Sequence, residues 1–210
     1  DKVIRNDCGV IEGGEISIYY DPMISKLCSW GNTREEAISF MQEALDDYQI
    51  EGIGQNIPFL HSVYRNQDFR SGNISTAFIE NNYPEGFKGE TLSEEERSQL
   101  VALVTFAYHT KNLRDQAISG RLDPFEENTV GEYCIKFDDQ WVVTKIQKYD
   151  DEQIVKVNDL QLNFLTSWKP GDTLIKASFN KKDVVARLRF QDQGITVEYR
   201  GSSNIAIVCN

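Results

Sequence analysis

Between Leu100 and Tyr108 the chain reads LVALVTFAY, and its apolar residues do not keep to one stripe. At about 100° per residue, Leu100, Val101, Leu103, Val104, Phe106, Ala107 and Tyr108 run right round a helix. A helix that is apolar on all sides is buried on all sides. The run is too short for a bilayer, which needs roughly 20 such residues. Ser93 followed by Glu96 reads as a capping box and starts the helix, which the pattern carries over residues 93–118. Something in the protein must surround it.

The sequence after the helix supplies the enclosure. Strand patterns run over Val130–Phe137, Trp141–Tyr149, Gln153–Val157, Leu160–Ser167, Thr173–Phe179, Val184–Phe190, Ile195–Arg200 and Ile205–Val208. Turn chemistry separates them: Asp138-Asp139, Asp150-Asp151, Asn158-Asp159, the Trp168–Asp172 corner, Asn180-Lys181, Gln193-Gly194 and Gly201. Tyr133, Ile135 and Phe137 alternate with polar neighbours, and Val185, Arg187 and Arg189 lie opposite Ala186, Leu188 and Phe190. About eight antiparallel strands over 130–208 close into a barrel without edges, with room inside for one slim occupant. The apolar helix is that occupant, which disfavours a ligand-holding barrel. Trp141 and Trp168 are expected as core or rim packing. The polar, turn-rich connection Arg114–Asn128 carries Gly120, Asp123-Pro124 and the aromatic Phe125, and a connection this long is expected to be functional or disordered.

The first part mixes short strands with helices. Val3-Ile4, Val10-Ile11 and Glu15–Tyr20 read as strand pieces, with Gly13-Gly14 as a turn and Asp21-Pro22 as a break. Met23–Trp30 is a buried strand or a tight connection. Thr33 with Glu36 forms a second capping box, and Ala37, Ile38, Met41, Ala44, Leu45 and Tyr48 share one helix face. Asn56 offers an N-cap, with Pro58 in the first turn and Phe59, Leu60, Val63 and Tyr64 on the buried side. Ser75–Asn82 is one more short helix, and Glu85–Gly89 a linker. His61 is expected at the surface or its boundary. The Gly52-x-Gly54 pair follows a helix rather than a strand and lacks a third glycine, so it is a poor phosphate loop. The fold class is α+β.

Composition narrows the function. A net charge of -11 over 210 residues argues against nucleic-acid binding and against a polybasic membrane contact. Cys8, Cys28, Cys134 and Cys209 lack short spacings, and only His61 and His109 could join them, which disfavours a Cys/His metal site. Reduced, half-buried thiols are expected. No signal peptide or transmembrane run is legible. The chain starts at Asp1 and enters strand-like sequence almost at once, as a piece of a longer polypeptide would.

The blocks EISIYYDPMISKL (Glu15–Leu27), Gly31–Ala37, Ala44-Leu45 and Glu51-Gly52-Ile53 with Asn56-Ile57 look like the C-terminal end of a biotin carboxylase domain. Phe69, Gly72, Ser75-Thr76 and Phe78-Ile79 continue the pattern. Tyr83–Gly89 resembles the α subunits of propionyl-CoA carboxylases more closely than their relatives. In that family the ATP-grasp fold, its glycine-rich loop and the groups acting on magnesium, bicarbonate and biotin lie upstream of such a segment. By the resemblance, Arg5 matches a position near the carboxylase self-association surface and Asp21 one near the active-site rim. The alternatives are a surface ion pair and a strand-ending turn.

A helix inside an eight-stranded barrel, with the Ser167–Asp172 corner, is similar to the biotin-transfer domain of the same family. The resemblance implies docking onto a carboxyltransferase β subunit through Gly120, Arg121, Leu122, Asp123, Pro124, Phe125, Glu126 and Glu127. Phe125 would be the apolar anchor; the alternative is that it folds back on its own barrel. The family carries biotin on a lysine flanked by methionines, and neither Met23 nor Met41 precedes a lysine. The carrier domain is therefore expected beyond Asn210.

Residues 1–89 are thus expected to be the end of a biotin carboxylase domain and 90–210 a biotin-transfer domain. The full enzyme would use ATP, magnesium, bicarbonate and biotin to carboxylate propionyl-CoA, while this stretch would bind none of them and catalyse nothing alone. Its partners would be the β subunit and the biotin carboxyl carrier domain of the same polypeptide, with no nucleic acid and no membrane. The compartment would be the cytoplasm in a bacterium or the mitochondrial matrix in a eukaryote. The α subunit of another acyl-CoA carboxylase, such as a methylcrotonyl-CoA one, or a non-catalytic β-barrel interaction module are the alternatives.

Overall fold

The computed structural model describes residues 3–16, 19, 23–117, 129–148 and 152–209. The chain divides into two compact units, Asp1–Lys88 and Gly89–Asn210.

In the first unit, β1 (Val3–Cys8) pairs antiparallel with β2 (Ser25–Trp30). Val10-Ile11 is not a strand; the chain turns there, and Gly14 N–H donates to Ile11 carbonyl at 2.8 Å with Gly13 at φ 75°. Glu15 and Ile16 are irregular, and the rest of the expected Glu15–Tyr20 strand falls largely outside the described residues. Helix α1 (Arg34–Asp47) starts where Thr33 Oγ1 accepts Glu36 N–H. Glu36 reaches back one residue further than a capping box requires, to Asn32 N–H. Ile38, Met41 and Leu45 are its buried face, as the spacing predicts.

Helix α2 (Ile57–Arg65) has Asn56 at its N-cap position, but that side chain makes no capping bond. Gln55 Oε1 takes the Ile57 N–H instead. Asn66 does cap the unforeseen α3 (Gln67–Ser71), accepting from both Asp68 and Phe69. Only Phe78–Asn82 of the expected Ser75–Asn82 helix is helical (α4), because Thr76-Ala77 form a turn. His61 is no boundary residue: it is 4% exposed, with Nε2 3.6 Å from Asp46 Oδ1. A buried imidazole needs such a polar partner.

In the second unit, α5 (Glu94–Gln116) begins with both halves of the capping box formed by Ser93 and Glu96. Eight strands follow: β3 (Val130–Phe137), β4 (Gln140–Lys148), β5 (Gln153–Val157), β6 (Leu160–Thr166), β7 (Leu174–Phe179), β8 (Lys182–Gln191), β9 (Gly194–Tyr199) and β10 (Ser202–Cys209). They form a closed antiparallel barrel in the order β10-β3-β4-β5-β6-β7-β8-β9. Hairpin turns set the register. Asp138-Asp139 and Asn180-Lys181 take left-handed φ at both central positions, the geometry that matches strand twist.

Every residue from Leu100 to Ala107 is buried, and it is the barrel wall that buries them. Phe106 meets Phe164 and Trp168 edge-on. Thr105, the polar residue of this run, returns its hydroxyl to Val101 carbonyl at 2.8 Å, so its own oxygen is satisfied inside the core. Trp168 packs in the core as expected. Trp141 does not; it is 55% exposed. Val142, Thr144 and Ile146 of the same strand point inward, and period-2 alternation then puts Trp141 and Val143 outside.

Candidate functional site

Helix α5 leaves the barrel at the end where β3 begins. Its last turn closes through Ala117 N–H to the carbonyls of Leu113 and Arg114. There Asn112, Leu113 and Gln116 face Val130, Gly131 and Tyr133 across a cavity of about 330 Å³. The predicted docking segment, Gly120 through Glu127 with Phe125, lies outside the described residues. Its two described flanks therefore meet at one mouth of the barrel.

Two polar contacts build that mouth. His109, 3% exposed, shares a 2.7 Å hydrogen bond from Nδ1 with Tyr133 Oη. Burial pushes the Tyr133 phenol above its ordinary value, against a bond with Asn112 that lowers it. Arg114 Nη1 donates to Pro170 carbonyl at 2.9 Å, tying the helix to the Trp168–Asp172 corner. The corner holds itself: Trp168 Nε1–H donates to Asp172 carbonyl and Lys169 N–H to the Asp172 carboxylate, both at 2.9 Å. Gly171 permits the bend with φ 114°.

Sequence reasoning missed His109, Gly131 and Tyr133. Nothing in their spacing marks them, because 24 residues separate the two hydrogen-bonding partners. The earlier candidates fare unequally. Arg5 is exposed on β1 and pairs with Asp7, Nε to Oδ1 at 3.0 Å. Asp21 lies outside the described residues.

The first unit has its own apolar groove of about 610 Å³, lined by Met23, Leu27, Met41, Leu45, Leu60 and Tyr64 among others. Among the described residues, no group of three or more His, Cys, Asp or Glu is placed to hold a metal ion. Among the described residues, no helix is long and apolar enough to cross a membrane.

Comparison with known proteins places both parts. Residues 1–81 match the biotin carboxylase C-terminal domain, and residues 100–210, more than half of the chain, match the propionyl-coenzyme A carboxylase BT domain. The propionyl-CoA carboxylase alpha chain of Ruegeria pomeroyi is 36% identical over 203 residues, covering 96% of this chain and 30% of that one. The mitochondrial alpha chain of Homo sapiens is 35% identical over 175 residues, covering 82% of this chain and 24% of that one. A methylcrotonoyl-CoA carboxylase subunit alpha from Dictyostelium discoideum is 43% identical, over only 76 residues. The chain thus spans less than a third of the length of these relatives. It belongs to the propionyl-coenzyme A carboxylase BT domain family, its barrel preceded by a biotin carboxylase C-terminal segment.

Proposed function

We propose that this chain is the assembly segment of the α subunit of a biotin-dependent acyl-CoA carboxylase acting on propionyl-CoA. Residues 1–89 are the end of the carboxylase domain, and residues 90–210 are the biotin-transfer domain that docks onto the carboxyltransferase β subunit. The observation that carries this reading is the order of the two matched segments on one chain, 1–81 and then 100–210. The filled barrel supports it, since an interior occupied by Leu100–Ala107 leaves no room for a ligand along that stretch of the core.

The residues present do not fit the cofactors of the whole enzyme. Neither methionine precedes a lysine, as a biotin site of the family would require. The Gly52-x-Gly54 pair follows α1 rather than a strand and so does not present a phosphate-binding loop. ATP, magnesium, bicarbonate and biotin chemistry accordingly belongs to other parts of the polypeptide. The purified chain is expected to show no bicarbonate-dependent ATP hydrolysis. Arg5 and Asp21 belong to the carboxylase side, and the apolar groove beside Met41 and Leu60 is the face that its upstream part covers.

Docking uses Gly120–Glu127, with Phe125 as the apolar anchor. Co-elution on a sizing column tests this. The chain is expected to form a complex with the β subunit of propionyl-CoA carboxylase, and Phe125→Ala to weaken it at least tenfold. A complex only with a methylcrotonyl-CoA carboxylase β subunit reassigns the acyl substrate. No complex with either removes the docking role.

A further inference from the structure

The barrel closes where its first and last strands meet, and that seam is short. Three registered pairs join β10 to β3: Ile207 with Lys136, Val208 with Ile135, and Cys209 with Cys134. Between β3 and β4 the register runs along the whole of β3, from Val130 to Phe137. The last seam pair consists of two free cysteines directly opposite one another. Both lie on the outer face, because Ile135, Phe137 and Ala206 point into the core and neighbours alternate. Cys209 is exposed and Cys134 half-buried.

We propose that Cys134 and Cys209 form a reversible thiol–disulfide pair that locks the barrel seam. Directly opposed residues of antiparallel strands have Cα atoms about 4.5–5.5 Å apart, within the range of about 4.4–6.8 Å that a disulfide spans. The other two cysteines have no such placement. Cys8 opposes Ser25 and Cys28 opposes Arg5, so they stand three registers apart, about 10 Å along the strands. The four thiols therefore divide into one preorganised pair and two solitary groups.

The oxidant is a low-molecular-weight disulfide such as oxidised glutathione. The exposed Cys209 thiolate attacks one of its sulfurs, forming a mixed disulfide and releasing one glutathione thiolate. The Cys134 thiolate then attacks the Cys209 sulfur, and the second glutathione thiolate leaves. The protein loses two electrons and two protons, and oxidised glutathione becomes two reduced molecules. The new bond links residues far apart in sequence across the seam, so it restricts the unfolded chain strongly.

The purified chain is incubated with oxidised glutathione, alkylated and mapped by peptide mass spectrometry. The expected result is a linked peptide joining residues 134 and 209, a mass lower by two hydrogens, alkylated Cys8 and Cys28, and full reversal by excess dithiothreitol. The melting temperature of the oxidised form rises by about 5–10 °C. Cys134→Ser and Cys209→Ser each abolish the cross-link and the rise, while Cys8→Ser leaves both. Alkylation of all four cysteines, stable single glutathionylation of Cys134 or Cys209, or a link through Cys8 or Cys28 overturns the proposal. The outcome is independent of subunit docking, because it depends only on the register of β10 and β3.

Discussion

His109 Nδ1 lies 2.7 Å from Tyr133 Oη, and the residue of β3 that allows this is Gly131. A Cβ on Gly131 would stand 2.7 Å from His109 Nδ1 and 2.9 Å from Tyr133 Oη. The contact joins the helix that fills the barrel to the first strand that encloses it.

Gly131→Ala therefore forces either the imidazole or the phenol aside. The expected cost is about 1–3 kcal/mol from overpacking and a displaced buried hydrogen bond. Tyr133→Phe keeps the ring and removes only the bond, so it should cost about 1 kcal/mol. Urea unfolding of the two variants tests the order; equal stability of Gly131→Ala and the parent would show that the mouth is loose.

The same tyrosine sets an alkaline limit. Burial raises its folded-state pKa above the ordinary value of 10.0, so the neutral phenol is the form that folding favours. Its contribution is fully present below about pH 10 and is lost as pH rises through the higher folded value. Thermal melts across this range should show Tyr133→Phe losing less stability above pH 10 than the parent, and tyrosinate absorbance should place the phenols of Tyr133 and Tyr64, both raised by burial, above the ordinary value.

The threaded helix carries the largest single-residue effects. Leu103 is fully buried inside the barrel, so Leu103→Ala leaves a cavity there and should cost about 3–5 kcal/mol. Amide exchange over Leu100–Ala107 should be among the slowest in the chain. Rapid exchange there would contradict a helix sealed by eight strands.

Lys181 turns the β7–β8 hairpin with φ 67°, a left-handed conformation that a side chain resists. Lys181→Gly should stabilise the chain by up to about 1 kcal/mol, because glycine removes the Cβ clash. A lower denaturant midpoint for this variant would mean that the lysine side chain contributes more than its backbone costs.

Much of the architecture was legible because it rests on local physics. The all-round apolar run from Leu100 dictated burial, the Ser93–Glu96 box marked its start, and turn residues such as Asp138-Asp139 and Asn180-Lys181 separated the strands. Local rules also failed where two local options competed. Gln55 rather than Asn56 takes the free N–H of α2, and Asn66 starts a helix whose five residues carry too little periodicity to announce it.

By itself, then, the sequence determined the helix, the strands, their order and the family, since periodicity, turn chemistry and motif are properties of neighbouring residues. Only the tertiary structure decided which distant side chains meet. The pairs His61 with Asp46, His109 with Tyr133 and Cys134 with Cys209 arise from helix packing and strand register. Trp141 faces outward for the same reason: register and barrel closure, not hydrophobicity, choose which of two alternating faces becomes the core.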